Sequence, residues 1–214
     1  MISWLLKTNK WGYYLVLCCI YILFSYLINN FLLTDNLYHA SFGEQYTSDQ
    51  IQKILNINKS WQYIGYCFIP IVIIIRTLYT SFCLYIGDLI QETHWGFRQL
   101  FNISLKADIV FGFGIIFNFY FYALTNNYST IDDLNINCAS LLKLVGKENI
   151  PNWLVLAYNS INFFELLYII LLVVFLKISF QLTYLKSIVF VLLTYFIGNY
   201  LYIVGMTFVY LNFS

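Results

Sequence analysis

Arg76 stands in the run IPIVIIIRTLYTSF, residues 69–82, where five aliphatic residues follow a proline and lead into the charge. Glu165 stands in a second such run, INFFELLYIILL. If these runs cross a bilayer, a lone charge inside one costs about 2.5–3.5 kcal/mol on insertion scales. A facing opposite charge lowers that cost. Arg76 lies roughly 15 residues, about 22 Å, into its run, and Glu165 roughly 12 residues into its own, at similar depth. The spacing predicts that Arg76 meets Glu165, directly or through a polar cavity. Asn159, Asn162 and Glu165 recur every three residues, which puts them on one face of a single helix. Asn118 and Asn199 add one carboxamide each to two further apolar runs. Two uses fit these six residues. One is interhelical hydrogen bonding, worth about 0.6 kcal/mol per group. The other is the lining of a polar cavity through which a solute or proton passes.

A second polar group, Asp88, Glu92, His94, Arg98, Lys106 and Asp108, gathers between two apolar runs. It reads either as a docking surface or as the charged flanks that any membrane segment carries. His39 and His94 stand alone, and the five cysteines show no metal-binding spacing, so no metal or other cofactor is implied. Cys18, Cys19 and Cys83 fall inside apolar runs and read as small packing residues. The GFG at 112–114 lacks the Lys-Ser/Thr sequel of a phosphate loop. No nucleophile–base arrangement is present, and the chain does not read as an enzyme.

The elements that must position these residues follow from composition. Of 214 residues, 61% are hydrophobic and 10% charged. A soluble domain carries about 25% charged residues, so this chain lacks the charge to coat a water-facing surface. The net charge of +1, with no Lys/Arg cluster, excludes a nucleic-acid partner. A spanning helix needs about 20 mostly apolar residues. Five segments qualify, at about 11–33, 61–90, 107–124, 153–176 and 187–212. Backbone satisfaction in lipid makes them helices. The expected fold is all-α: a polytopic membrane protein, one domain built as a bundle of five transmembrane helices. The first run is too long for a leader and lacks a small-residue cleavage site, so it reads as a retained span.

Loop charges give orientation. Lys7, Lys10, Arg98, Lys106, Lys177 and Lys186 fall on one side. Lys53, Lys59, Lys143 and Lys147 fall on the other, with Asp35, Glu44, Asp49, Asp132, Asp133 and Glu148. The positive-inside rule then places the N-terminus in the cytoplasm and the C-terminus outside. The two outer loops carry amphipathic stretches, TSDQIQKILNINKSW and STIDDLNINCASLLKLVGKENIPNW. Thr47 or Ser48 caps the first and Ser129 or Thr130 the second, and Gly146 stops the second. Both read as short helices on the outer surface. The link QETHWGFRQLFNISLKADI reads as an interfacial connector on the cytoplasmic side. Gly112, Gly114, Gly198 and Gly205 permit close helix approach.

Over about residues 60–212 the chain resembles the Yip family of five-span integral membrane proteins, in its bacterial-type form. The resemblance rests on THWGFRQLFNISLKA as the link into the third span. It rests also on NSINFFELLYIILLVVFLK as an asparagine-plus-aromatic fourth span, and on QLTYLKSIVFVLLTYFIGNYL as a tight closing hairpin. The chain lacks the long hydrophilic N-terminal region of eukaryotic members, and its first loop is long. The resemblance implies a small membrane scaffold or accessory subunit that assembles with itself or with other membrane proteins. The alternative is a small-solute or proton transporter, or a permease subunit, for which the mid-span charges and Pro70 stand. Short loops and no sorting signal point to a bacterial inner membrane.

Overall fold

The computed structural model describes residues 9–43 and 45–213, the last by its backbone only. Lys7 and Glu44, used above in the charge comparison, lie outside the described residues. The described chain is helical, without strands. Five helices are long and apolar enough to cross a membrane: Lys10–Leu32, Ser48–Ile90, Phe97–Thr125, Phe163–Phe180 and Tyr184–Asn212. They fit an integral, multi-pass membrane protein.

Helix α1 (Lys10–Leu27) opens on Asn9, whose side chain accepts from the Trp11 N–H, and ends in a π-helical turn at Ile28–Leu32. After the short α2 (Asp35–Phe42), α3 (Ser48–Ile90) runs for 43 residues. The Gln50 side chain reaches back to accept from the Thr47 N–H at 2.9 Å, which fixes its start. A separate surface helix before a span at 61 was expected; the two are one helix. No glycine or proline separates them, and Ile51 and Leu55 bury against Tyr38 of α2, which holds the extension in helical register. Pro70 sits inside α3 without breaking it, and the Tyr14 hydroxyl donates to its carbonyl at 2.9 Å.

The third span starts ten residues earlier than the expected 107. Helix α4 (Phe97–Ala107) passes through Asp108 into α5 (Ile109–Thr125). The supposed interfacial connector is thus mostly span. Leu100, Ile103 and Ala107 follow helical spacing, and all three pack into the main core with Leu84, Tyr168 and Leu172.

Residues 126–162 form a compact loop containing α6 (Ile131–Leu134), α7 (Leu141–Val145) and α8 (Val155–Ser160). Thr130 is the cap of α6, and Gly146, at φ +87°, ends α7 in a conformation that glycine tolerates. Ile136, Leu142 and Ile150 give the loop its own small core. The fourth span, α9 (Phe163–Phe180), begins at its Asn162 cap rather than at 153. The chain closes through α10 (Tyr184–Val191), a π-helical turn at Leu192–Phe196, and α11 (Ile197–Phe213).

Candidate functional site

Arg76 is met by Asp108, not by Glu165. Its Nε donates to Asp108 Oδ1 at 2.9 Å and its Nη2 to Oδ2 at 2.5 Å, a two-pronged ion pair. Nη2 also donates to the Tyr21 hydroxyl at 2.8 Å. The guanidinium lies 4.4 Å from the Phe111 ring centroid, within cation–π range. Asp108 is fully buried, while the Arg76 side chain keeps 33% exposure. Three spans therefore close on one charge pair: α1 through Tyr21, α3 through Arg76, and the α4–α5 junction through Asp108. The expected partner was wrong because the third span was taken to begin at 107, which left Asp108 among the flanking charges. Moving its start to Phe97 puts Asp108 near mid-span, level with Arg76.

Glu165 has different company. Its Oε1 accepts from the Tyr195 hydroxyl at 2.7 Å and from Asn199 Nδ2 at 3.1 Å. Tyr195 lies in the π-helical turn, and Asn199 lies in the first turn of α11. Tyr168 stands between the two polar groups, 4.8 Å ring to ring from Phe111 and 5.3 Å from Tyr195. Its hydroxyl donates to Thr80 Oγ1 at 3.1 Å. Glu165 is in the first turn of α9, not 12 residues into a span.

The stripe Asn159–Asn162–Glu165 does not exist as one helix face, because the helix breaks between Ser160 and Phe163. Asn162 is the cap of α9, its Oδ1 accepting from the Glu165 N–H at 2.9 Å. Asn159 accepts from the Asn137 N–H at 2.8 Å and donates to the Asn135 carbonyl at 3.2 Å. Asn118, on α5, accepts from the Cys138 N–H at 3.0 Å and from its thiol at 2.6 Å. The Tyr122 hydroxyl donates to the Ile136 carbonyl at 2.6 Å. Asn118, Asn159 and Tyr122 thus bind the 126–162 loop to the helix ends. Only Asn199, of the four asparagines, joins two spans.

Outside the spans, burial pushes the Asp133 carboxyl up, but hydrogen bonds from Ser129 and Thr130 outweigh it and hold the group below the usual carboxylate range. Burial pushes the Cys138 thiol up.

The docking group divides. Asp88, Lys106 and Asp108 are buried, at 3%, 1% and 0% exposure, and cannot present a surface. Asp88 accepts from Thr93 Oγ1 at 2.5 Å and from the Trp95 N–H at 2.9 Å, so it shapes the turn between α3 and α4. That turn is tied down again by Trp95, stacked on Phe180 with ring centroids 4.2 Å apart. Glu92, His94 and Arg98 are exposed around it. Lys106 lies nearly three turns into the third span, which removes it from the flanking charges used for orientation.

Sequence reasoning missed Tyr21, Phe111 and Tyr195. With 20 tyrosines and 20 phenylalanines in the chain, none of these stands out by type. No protein-family profile matches the chain, and no curated protein or solved structure is significantly similar to it.

Proposed function

We propose that this chain is an integral membrane scaffold or accessory subunit of a membrane-protein complex, Yip-like in topology and without catalytic activity. The observation that carries this reading is the use of the mid-span charge. Arg76 is held by both oxygens of Asp108 and by Tyr21, so its donors serve to fix three spans against one another. A five-helix bundle locked in this way offers rigid apolar helix faces to neighbouring membrane proteins or to a second copy. The exposed turn around Glu92, His94 and Arg98 adds a small charged contact on the side assigned to the cytoplasm. Loop charge favours a cytoplasmic N-terminus, and short loops favour a bacterial inner membrane.

The competing reading is movement of a small solute or proton past Arg76 and Glu165. It draws on Glu165, whose carboxylate is bonded by Tyr195 and Asn199 beside the Arg76–Asp108 pair. Purification of the tagged protein from its own membrane in mild detergent, with mass spectrometry of what accompanies it, separates the two. A stoichiometric membrane partner is the expected result. A protein that emerges alone, and that in proteoliposomes moves protons or solute in a way abolished by Glu165→Gln, would overturn the scaffold reading.

A further inference from the structure

A cleft of about 740 Å³ opens between the end of the first span and residues 55–63 of α3. That is within the size range of small-molecule sites. Four carboxamides line it: Asn29, Asn30, Asn58 and Gln62, with Trp61 and Tyr63 at its edge. The protein holds each carboxamide by its nitrogen. Asn29 Nδ2 donates to the Tyr66 hydroxyl at 3.1 Å, Asn30 Nδ2 to the Tyr26 carbonyl at 3.0 Å, and Asn58 Nδ2 to the Tyr38 hydroxyl at 3.2 Å. Gln62 Nε2 bonds the same Tyr66 hydroxyl. Each amide oxygen keeps its acceptor capacity. The result is a fixed set of neutral acceptors beside two aromatic rings.

This lining selects a chemical class. A phosphate asks for arginine, lysine or a helix N-terminus. The cation here, Lys59, is exposed and directed to Asp35 at 3.5 Å. An ammonium group asks for a carboxylate, and none lies among the described lining residues. Neutral hydroxyls donate well to amide oxygens, and the C–H face of a sugar ring packs on indole and phenol. Asn29 and Asn30 sit side by side in the π-helical turn Ile28–Leu32, and such turns occur frequently at functional sites. The ring contacts Tyr26–Tyr66 and Tyr63–Tyr66 place aromatic residues at the same level, as at a membrane–water boundary. We infer that this cleft binds a hexose, presented either as a glycolipid headgroup or as a free sugar.

The test uses the full chain in phosphatidylcholine nanodiscs doped with monoglucosyl- or monogalactosyl-diacylglycerol, with plain diacylglycerol as control. Native mass spectrometry reads the retained lipid, and titration with methyl glucoside and methyl galactoside tests the free sugar. Retention of a glycosyl lipid above the diacylglycerol control is expected. Asn58→Leu should weaken it about five- to tenfold, the measure of one net hydrogen bond. Trp61→Ala should also weaken it; that side chain is 62% exposed, so its removal leaves the fold intact even if Asn58→Leu does not. Binding of a methyl glycoside without the lipid would support the site with a soluble source. Neither ligand exceeding its control, or equal binding by wild type and a folded Trp61→Ala protein, would overturn the inference.

Discussion

Replacing Asp108 by leucine strands the Arg76 guanidinium. The two bonds to Asp108, at 2.9 and 2.5 Å, vanish together, leaving the hydrogen bond to the Tyr21 hydroxyl and the Phe111 ring. Breaking a buried pair by removing one partner costs about 3–5 kcal/mol, because an uncompensated charge is left behind. The insertion cost of a lone mid-span arginine, about 2.5–3.5 kcal/mol, points to the same size. The lower end is the better estimate here, since Tyr21 stays and the Arg76 side chain is 33% exposed. Asp108→Leu should therefore lower the unfolding free energy by about 3 kcal/mol, roughly a hundredfold in the equilibrium constant. Arg76→Leu strands Asp108 instead, which is fully buried, and should cost at least as much. Combining the two removes both charges and should recover most of the loss, since an apolar replacement of a whole buried pair is often neutral. Unfolding in mixed dodecyl sulfate micelles, followed by circular dichroism, measures all four proteins of the cycle. The decisive comparison adds Glu165→Leu to Arg76→Leu. If Glu165→Leu restores stability as well as Asp108→Leu does, the assignment of Asp108 as the partner fails.

Other perturbations test the surrounding structure. Asn118→Leu removes the acceptor for the Cys138 N–H and thiol, and should cost about 1–2 kcal/mol and speed maleimide labelling of Cys138; unchanged labelling would contradict the anchoring role. A Cβ on Gly87 would lie 2.1 Å from Thr194 Cγ2, so Gly87→Ala should destabilise the protein by about 1–3 kcal/mol, whereas Gly205→Ala, inside α11 with nothing within 4 Å, should not lower the melting temperature and should if anything raise it. Asp133 has its carboxyl depressed in the folded loop, so its contribution is complete above the ordinary aspartate value of about 3.8 and fades as pH falls through the lower folded one. Amide hydrogen exchange at Ser129 and Thr130, corrected for intrinsic rates, should accelerate below that pH in wild type and be insensitive to it in Asp133→Asn.

The spans were legible because long apolar runs admit one backbone solution in lipid. The starts of the second, third and fourth were not. Residues 97–106 contain Arg98, Asn102 and Lys106, which lowered the apparent hydropathy and hid the burial of Leu100, Ile103 and Ala107. That one displaced boundary exchanged Asp108 for Glu165 as the partner of Arg76. The fourth span shows the reverse error: NWLVLAYNSI is apolar enough to read as helix, yet Asn162 spends its side chain on a cap and starts a new one. Asn159 and Asn118 were expected in an intramembrane polar cluster, but their partners are groups of the 126–162 loop, mostly backbone, which side-chain spacing does not reveal. Gly198 was rightly marked for close approach, its Cβ position lying 2.5 Å from Cys83 Sγ. Gly87 drew no notice, although its neighbour Thr194 comes closer still.

The length of α3 has a mechanical consequence. At 43 residues it is about 65 Å long, twice the thickness of a bilayer core. Arg76 ties its middle to α1 and to the Asp108 junction, Ile51 and Leu55 tie its start to α2, and Asp88 ties its end to the turn that follows. From Arg76 the helix extends about 40 Å to Asp49 Cα in one direction and about 21 Å to Ile90 in the other. These arms stand in a ratio near two to one. The cleft at residues 58–63 lies on the long arm, and Glu92 and His94 lie just beyond the short one. Held at its start, middle and end, α3 is one continuous strut that joins the cleft to that turn.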